Sequence, residues 1–129
     1  MKTILFTCLI ALSGLTVRAQ EQKPEPKDGE MKQYFFVMLS KGPNRSQDKA
    51  TADQLQKDHI ANIERLAKEG HLNVAGPFGD EGNWRGIFIF KTKTLEETKA
   101  MVESDPMIKA GRLAYEIHPW WCQKGVKFQ

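Results

Sequence analysis

The sequence predicts a single α+β domain in which strands and helices follow in the order β, α, β, β, α, β. Short apolar runs mark the strands, longer segments with apolar residues three or four positions apart mark the helices, and glycine or proline separates most neighbouring elements. A chain of 129 residues is long enough for one domain. The predicted elements are strands at 33–40, 72–76, 86–90 and 112–118 and helices at 51–70 and 94–104.

The first nineteen residues are typical of a secretory signal peptide. Lys2 provides a positive start, residues 4–12 are apolar, and residues 17–19 end in a small-residue cleavage pattern. The alternative is an anchor that is never processed. Cleavage would leave no segment long enough to cross a bilayer, so we expect an exported protein, periplasmic or extracellular, with no membrane contact after cleavage.

The rest of the chain divides into three parts. Residues 20–30 are polar, charged and proline-containing, which predicts a flexible linker. Residues 31–122 form the domain, and residues 123–129 form a C-terminal tail. Cleavage after position 19 would remove two of the 19 basic residues and leave 17 against 16 acidic ones, a net charge of +1. This balance is not that of a nucleic-acid-binding protein.

The first strand is nearly continuously apolar, which is typical of an interior strand covered on both faces. The first helix is expected to begin at Thr51, with Gln54 as the other half of a capping box, and to end at Gly70. Its buried face carries apolar residues and His59, which therefore points toward the core.

The second and third strands are expected to pair as a hairpin, because the loop between them is short and rich in glycine and asparagine. Thr94 and Glu97 form a capping box at the start of the second helix. Pro106 is expected to end or bend that helix, with a short turn at 107–111 before the last strand.

This order of elements, with right-handed crossovers, is satisfied most simply by a ferredoxin-like βαββαβ sandwich. Such a fold has a four-stranded antiparallel sheet with both helices on one face. Apolar side chains on the other face of the sheet would be exposed to solvent in a single chain. We therefore expect a homodimer that packs sheet to sheet.

His59 and Asp80 are the candidate catalytic residues. From His59 to Gly70 the helix covers about 16 Å, and the following strand returns over about the same distance. Asp80 comes four residues after that strand in a glycine-rich turn, so we expect it to reach the imidazole. A carboxylate would fix the histidine tautomer and stabilise the imidazolium formed on proton uptake. The alternatives are a structural histidine and an ordinary turn aspartate.

A spaced set of residues resembles the YciI-like, or YCII-related, family over the stretch from Met31 to Trp121. The resemblance implies a dimeric ferredoxin-like fold related to muconolactone isomerases, and an active site with a histidine from the first helix and an aspartate after the second strand, here His59 and Asp80. The signal peptide and the tail depart from the family pattern. The residues that carry the resemblance are Gly42-Pro43, His59, Leu66, Gly70, Ala75-Gly76-Pro77, Asp80, Gly82, Gly86, Asp105-Pro106, Gly111 and Pro119-Trp120.

Three further residues are candidates for substrate binding. Arg45 and Arg85 are the cations expected near an anionic substrate, with ordinary surface arginines as the alternative. Trp84 could wall the pocket or stack on an aromatic ligand, or it could be a dimer contact. Asp105 is interpreted as a residue that caps and turns the chain, and His118 as structural or interfacial.

The sequence favours a small-molecule lyase or isomerase that moves a proton with His59 and Asp80 and needs no cofactor. The substrate is expected to be small, and aromatic or a lactone. No metal site is expected, because the three histidines lie on different elements without ligand spacing. The alternative is a non-enzymatic ligand-binding or dimeric accessory domain that keeps the same pocket for recognition.

Overall fold

The computed structural model describes residues 24–127. The predicted signal peptide, residues 1–19, lies outside the described residues, as do 20–23 and 128–129. The elements are β1 (Met31–Lys41), α1 (Lys49–Lys68), β2 (Leu72–Pro77), β3 (Trp84–Phe90), α2 (Leu95–Glu103), α3 (Pro106–Lys109) and β4 (Leu113–Gln123).

The four strands form one antiparallel sheet in the spatial order β2-β3-β1-β4. β1 and β3 occupy the centre, so each crossover through a helix skips one strand, and β2 and β4 are the edges. This is the ferredoxin-like arrangement that the sequence predicts.

The core lies between one face of the sheet and the helices. Phe35, Val37 and Leu39 alternate along β1 toward this side, as the two-residue period of a strand requires. Leu66 of α1 and Val102 of α2 pack against them. The remaining buried members of the cluster are Leu72, Phe88, Phe90, Met107 and Leu113.

α1 begins earlier than the sequence predicts. Asp48 is the N-cap, and its Oδ1 accepts a hydrogen bond from the Thr51 amide at 2.8 Å. Thr51 therefore lies inside the first turn and is not the N-cap. Asp48, three residues before it, occupies the capping position and accepts the hydrogen bond from the Thr51 amide. The helix ends as predicted at Gly70, whose φ of 84° allows the His71 amide to bond to the Leu66 carbonyl.

α2 begins with the predicted capping residues. Thr94 Oγ1 accepts from the Glu97 amide at 3.1 Å, and Glu97 Oε2 accepts from the Lys93 amide at 2.9 Å. The chain then turns at Asp105, whose Oδ1 accepts from the Met107 amide at 2.9 Å and caps the short helix α3. The capping role predicted for Asp105 is therefore present.

β4 continues well beyond the predicted end at 118. It runs through Pro119 to Gln123, and Pro119 faces Phe35 of β1. A proline is tolerated there because β4 is an edge strand, one side of which has no neighbour that needs its amide protons. The segment before β1 also contacts this end, since the Gly29 amide donates to the Lys124 carbonyl at 2.9 Å.

Among residues 24–127, no helix lies on the opposite face of the sheet. Phe36, Met38 and Ile87 are half-buried there, while Tyr34 is buried beside Trp120, with 6.3 Å between the two ring centroids. Along the part of the chain from 24 to 127, no helix combines the length and the apolar character that a membrane crossing requires.

Candidate functional site

A cavity of about 490 Å³ lies between α1 and the helix-covered face of the sheet. Its size falls in the range of small-molecule sites. Most of its walls are apolar, and its ionisable groups are one histidine and three arginines. The lining residues come from several strands, helices and loops: Leu39, Arg45, Gln56, His59, Ile60, Ile63, Ala75, Gly76, Pro77, Arg85, Gly86, Phe88, Met107, Arg112 and Leu113.

His59 projects from the middle of α1 and is 8% exposed. Its ring lies against Phe88, with 6.0 Å between centroids. Nδ1 lies 2.7 Å from Oδ2 of Asp105. This contact, together with the apolar ring beneath it, holds the imidazole in one orientation.

The second ring nitrogen of His59, Nε2, is not enclosed by the protein. Nε2 has no hydrogen-bond partner among residues 24–127, and within the same range no enclosed side-chain nitrogen or oxygen lacks one. Nε2 is therefore not enclosed, and His59 is one of the residues that line the cavity. The imidazole is fixed at Nδ1 and accessible at Nε2.

Asp105 is 1% exposed, and protein donors surround its carboxylate. Oδ1 accepts from the Met107 amide, and Oδ2 also faces Nδ2 of Asn62 at 3.3 Å. Both amides are donors, and carboxylate oxygens are the acceptors that they need. Nδ1 of His59 can donate to the same carboxylate, and in the neutral imidazole with its proton on Nδ1 the lone pair lies on Nε2.

The predicted contact between His59 and Asp80 does not form. The end of β2, Ala75 to Pro77, does return to the level of His59 and lines the cavity with it. Asp80 lies farther along, in the exposed hairpin turn, where its Oδ1 faces the Gly82 amide at 3.3 Å. The hairpin turn leaves Asp80 outside the cavity lining, whereas the turn before α3 places Asp105 against His59 of α1.

Arg45 and Arg85 both line the cavity, as does Arg112, which the sequence analysis missed. Arg45 Nη1 donates to the Arg112 carbonyl at 2.9 Å. This hydrogen bond links the loop after β1 to the residue that precedes β4. Burial, and then the positive charges of Arg112 and Arg85, lower the pKa of Arg45. The ferredoxin-like topology places the start of β4 beside the end of β1, and that relation could have identified Arg112.

Trp84 does not line the cavity. It is 60% exposed at the start of β3, and its ring lies 6.3 Å from that of Phe78 across the hairpin. Its predicted contact with a substrate in this cavity therefore has no support from its position.

Gly86 brings β2 and β3 close together at the cavity wall. A Cβ at this position would lie 2.6 Å from the Gly76 carbonyl oxygen, closer than real Cβ atoms come to such an atom. Only glycine fits there without moving a strand.

No group of three or more histidine, cysteine, aspartate or glutamate side chains within residues 24–127 is arranged to hold a metal ion. His118 is exposed on β4, with Nε2 3.5 Å from Oε2 of Glu116. Its position is far from the cavity lining.

Comparison with known proteins identifies a curated relative and solved structures with a similar fold. The uncharacterised protein YjpA of Bacillus subtilis is 24% identical over 95 residues, which is 70% of this chain and 99% of that protein. The structure resembles muconolactone isomerase with a TM-score of 0.57 at 18% identity, over 74% of this chain and 95% of that one.

A second similar structure is 5-chloro-2-hydroxyhydroquinone dehydrochlorinase from Burkholderia phenoliruptrix, in complex with 2,5-dihydroxybenzoquinone. Its TM-score is 0.51 at 23% identity, over 67% of this chain and 92% of that one. At these identities the two structures establish a shared fold. The profile of the YCII-related domain matches residues 34–121, most of the chain, and the protein therefore belongs to the YCII-related family.

Proposed function

We propose that this protein is a small-molecule lyase or isomerase that transfers a proton without a cofactor, with His59 as the general base and Asp105 as the residue that orients it. The observation that carries the proposal is the 2.7 Å contact between Nδ1 of His59 and Oδ2 of Asp105, beside a cavity that His59 lines. Asp105 replaces Asp80 in the role that the sequence analysis assigned.

The arrangement accounts for each step of a proton transfer. The Nε2 lone pair removes a proton from an acidic C–H or O–H group of the substrate, and the electron pair of that bond stays on the substrate. The buried carboxylate of Asp105 stabilises the imidazolium that forms. Return of the proton to a different carbon completes an isomerisation, and departure of an anionic group completes an elimination. Either route restores neutral His59 once the proton is released.

The similar folds are consistent with this chemistry, since one structure is named an isomerase and the other a dehydrochlorinase. Dehydrochlorination removes a proton and a chloride ion from one molecule. The apolar walls of the cavity suit the ring of an aromatic compound or a lactone, which are the substrate types we propose to test first.

The test is turnover and solvent exchange with a panel of lactones and hydroxylated or halogenated aromatic compounds in D₂O. Native protein should introduce deuterium into at least one compound, or convert it, and His59→Gln should lower that rate by about 10²-fold or more. Equal rates in both proteins would show that His59 is not the general base. Binding of a compound without exchange or conversion would favour the ligand-binding alternative.

We also propose that two copies pair through the sheet face that lacks helices. The support is the set of half-buried apolar side chains Phe36, Met38 and Ile87 in the middle of that face. Light scattering should give twice the chain mass for the native protein, and Met38→Asp should lower it to one chain mass because a charge would be buried. A native protein at one chain mass would contradict the pairing.

Export remains a proposal that rests on the sequence of residues 1–19. Intact mass spectrometry of the protein from its native cells should find an N-terminus near Gln20 in the periplasmic or extracellular fraction. A cytoplasmic protein that starts at Met1 would overturn it.

A further inference from the structure

The charges around the cavity are all of one sign. Arg45, Arg85 and Arg112 come from three separate elements, and no aspartate or glutamate is among the residues that line the cavity. Asp105 is buried behind the lining, where His59 and protein amides already surround it. The polar groups available to a ligand are therefore mainly cationic donors.

The three guanidinium groups are held in place without being neutralised. Arg112 Nη1 donates to Oε1 of Gln47 at 3.0 Å, and Arg85 Nη1 faces the Asp80 carbonyl at 3.2 Å. These acceptors, like the Arg112 carbonyl that accepts from Arg45, carry no net charge. Within residues 24–127, none of the three makes an ion pair with a carboxylate, whereas Arg65 on the outer side of α1 pairs with Glu69 at 2.8 Å.

The positive charges of Arg112 and Arg85 both act on Arg45. The pKa of Arg45 is lowered by burial and by the charges of Arg112 and Arg85, and arginine nevertheless stays protonated at neutral pH. Like charges gathered without a counter-charge cost free energy in the empty site, and a bound anion would remove that cost. The fold therefore holds these groups in an arrangement that favours an anionic ligand.

We propose that the cavity binds a small organic carboxylate, with Arg45, Arg85 and Arg112 around the carboxylate group and the carbon skeleton against the apolar walls. The planar fork of a guanidinium matches a carboxylate in two parallel hydrogen bonds. The apolar residues of the lining, among them Ile60, Ile63 and Phe88, require a carbon body that an inorganic anion does not have. As a statement about the substrate, this inference rests on the proposed function of His59, since both groups share one cavity.

The experiment measures binding by isothermal titration calorimetry at low salt, and it does not depend on turnover. The probes are matched pairs that differ in charge: benzoate and benzamide, cinnamate and cinnamamide, 2-furoate and 2-furamide, with inorganic phosphate alongside. At least one carboxylate should bind in the millimolar range or better and more tightly than its amide, and its affinity should fall as salt is added.

Arg85→Gln and Arg112→Gln should each weaken that carboxylate by about tenfold or more, the loss expected for a charge-assisted hydrogen bond. Lys99→Gln is the matched control, because it removes a positive charge from an exposed position on α2 that does not line the cavity. It should leave the affinity unchanged. Circular dichroism of each variant confirms that the fold is retained.

Three results would overturn the proposal: no carboxylate binds, the amides bind as well as the carboxylates, or phosphate binds more tightly than any carboxylate. His59→Gln should still bind the carboxylate, which separates this site from the catalytic proposal. If exchange of a neutral compound depends on His59 while no carboxylate binds, the proton-transfer function stands and the carboxylate site does not.

Discussion

His59 and Asp105 are 46 residues apart in the chain, and Nδ1 of the one lies 2.7 Å from Oδ2 of the other. The first projects from the middle of α1, and the second is the cap of α3. Because α1 packs against α3, the carboxylate that begins the short helix is also the carboxylate that orients the imidazole. This contact is the basis of the first prediction.

Asp105→Asn is expected to lower the rate of proton transfer by about 10²-fold or more. An asparagine can still cap α3, but its amide group can present a donor to Nδ1, which would move the ring proton of His59 to Nε2 and remove the base. Nitrogen NMR of the imidazole would show this change of tautomer. A structural role alone would leave the tautomer as it is.

The matched control is Asp80→Asn. Asp80 is exposed and lies in the hairpin turn, so we expect no change in rate or in the histidine spectrum. A loss with Asp80→Asn that equals the loss with Asp105→Asn would contradict the assignment of the orienting residue.

Gly86→Ala is expected to destabilise the fold by about 1–3 kcal/mol and to weaken ligand binding. The added methyl group would meet the Gly76 carbonyl oxygen and force β2 away from β3 at the cavity wall. Gly79→Ala is the control, because a Cβ there meets nothing within 4 Å. Urea unfolding of both variants measures the difference, and equal midpoints would show that the strands can separate without cost.

Tyr115 should make the protein lose stability in alkaline solution. Burial, and then the hydrogen bond to Glu103, raise its pKa from 10.0 to about 12. The unfolded chain releases this proton near pH 10, while the folded protein retains it until about pH 12, so stability falls over that interval. Thermal melts from pH 9 upward should show a shallower decline for Tyr115→Phe than for the native protein, and parallel declines would disprove the assignment.

Asp48 should contribute to stability at neutral pH and lose that contribution in acid. Its bonds to the Thr51 amide lower its pKa below the usual 3.8. The contribution is complete above that value and disappears as the pH falls through the lower pKa of the folded state. Asp48→Ala should therefore lower the Tm at pH 7, and the difference from native protein should shrink as the pH falls below the usual value of 3.8.

Asp48→Asn serves as the reference for that experiment, because an uncharged amide oxygen can cap the helix at every pH. Its melting temperature should lack the part of the acid dependence that comes from Asp48. If Asp48→Ala melts like the native protein at pH 7, the cap makes no contribution.

The order of strands and helices was predictable because each depends on local signals. Thr94 and Glu97 cap α2 as predicted, and Gly70 ends α1 with a positive φ. The ends of α1 and β4 were not predictable. Two residues that can cap α1, Asp48 and Thr51, lie three positions apart. Pro119 does not end β4, because β4 is an edge strand. Local rules fix the type of an element more firmly than its ends.

The candidate site was predictable in part. His59 lies on the inner face of α1 and lines the cavity, where Arg45 and Arg85 also lie. Asp80 was expected at the imidazole, where Asp105 lies instead, because a strand-length estimate locates the end of β2 but not the path of the turn that follows. The position of Asp105 directly before Pro106 predicted its capping role, but it did not predict the contact of the same carboxylate with His59.

One oxygen atom of Asp105 belongs to the backbone turn and the other to the imidazole. A sequence change that relaxes the junction between α2 and α3 would therefore also displace the carboxylate that contacts His59. In directed evolution of this scaffold, substitutions at that junction would alter thermal tolerance and the orientation of the imidazole together.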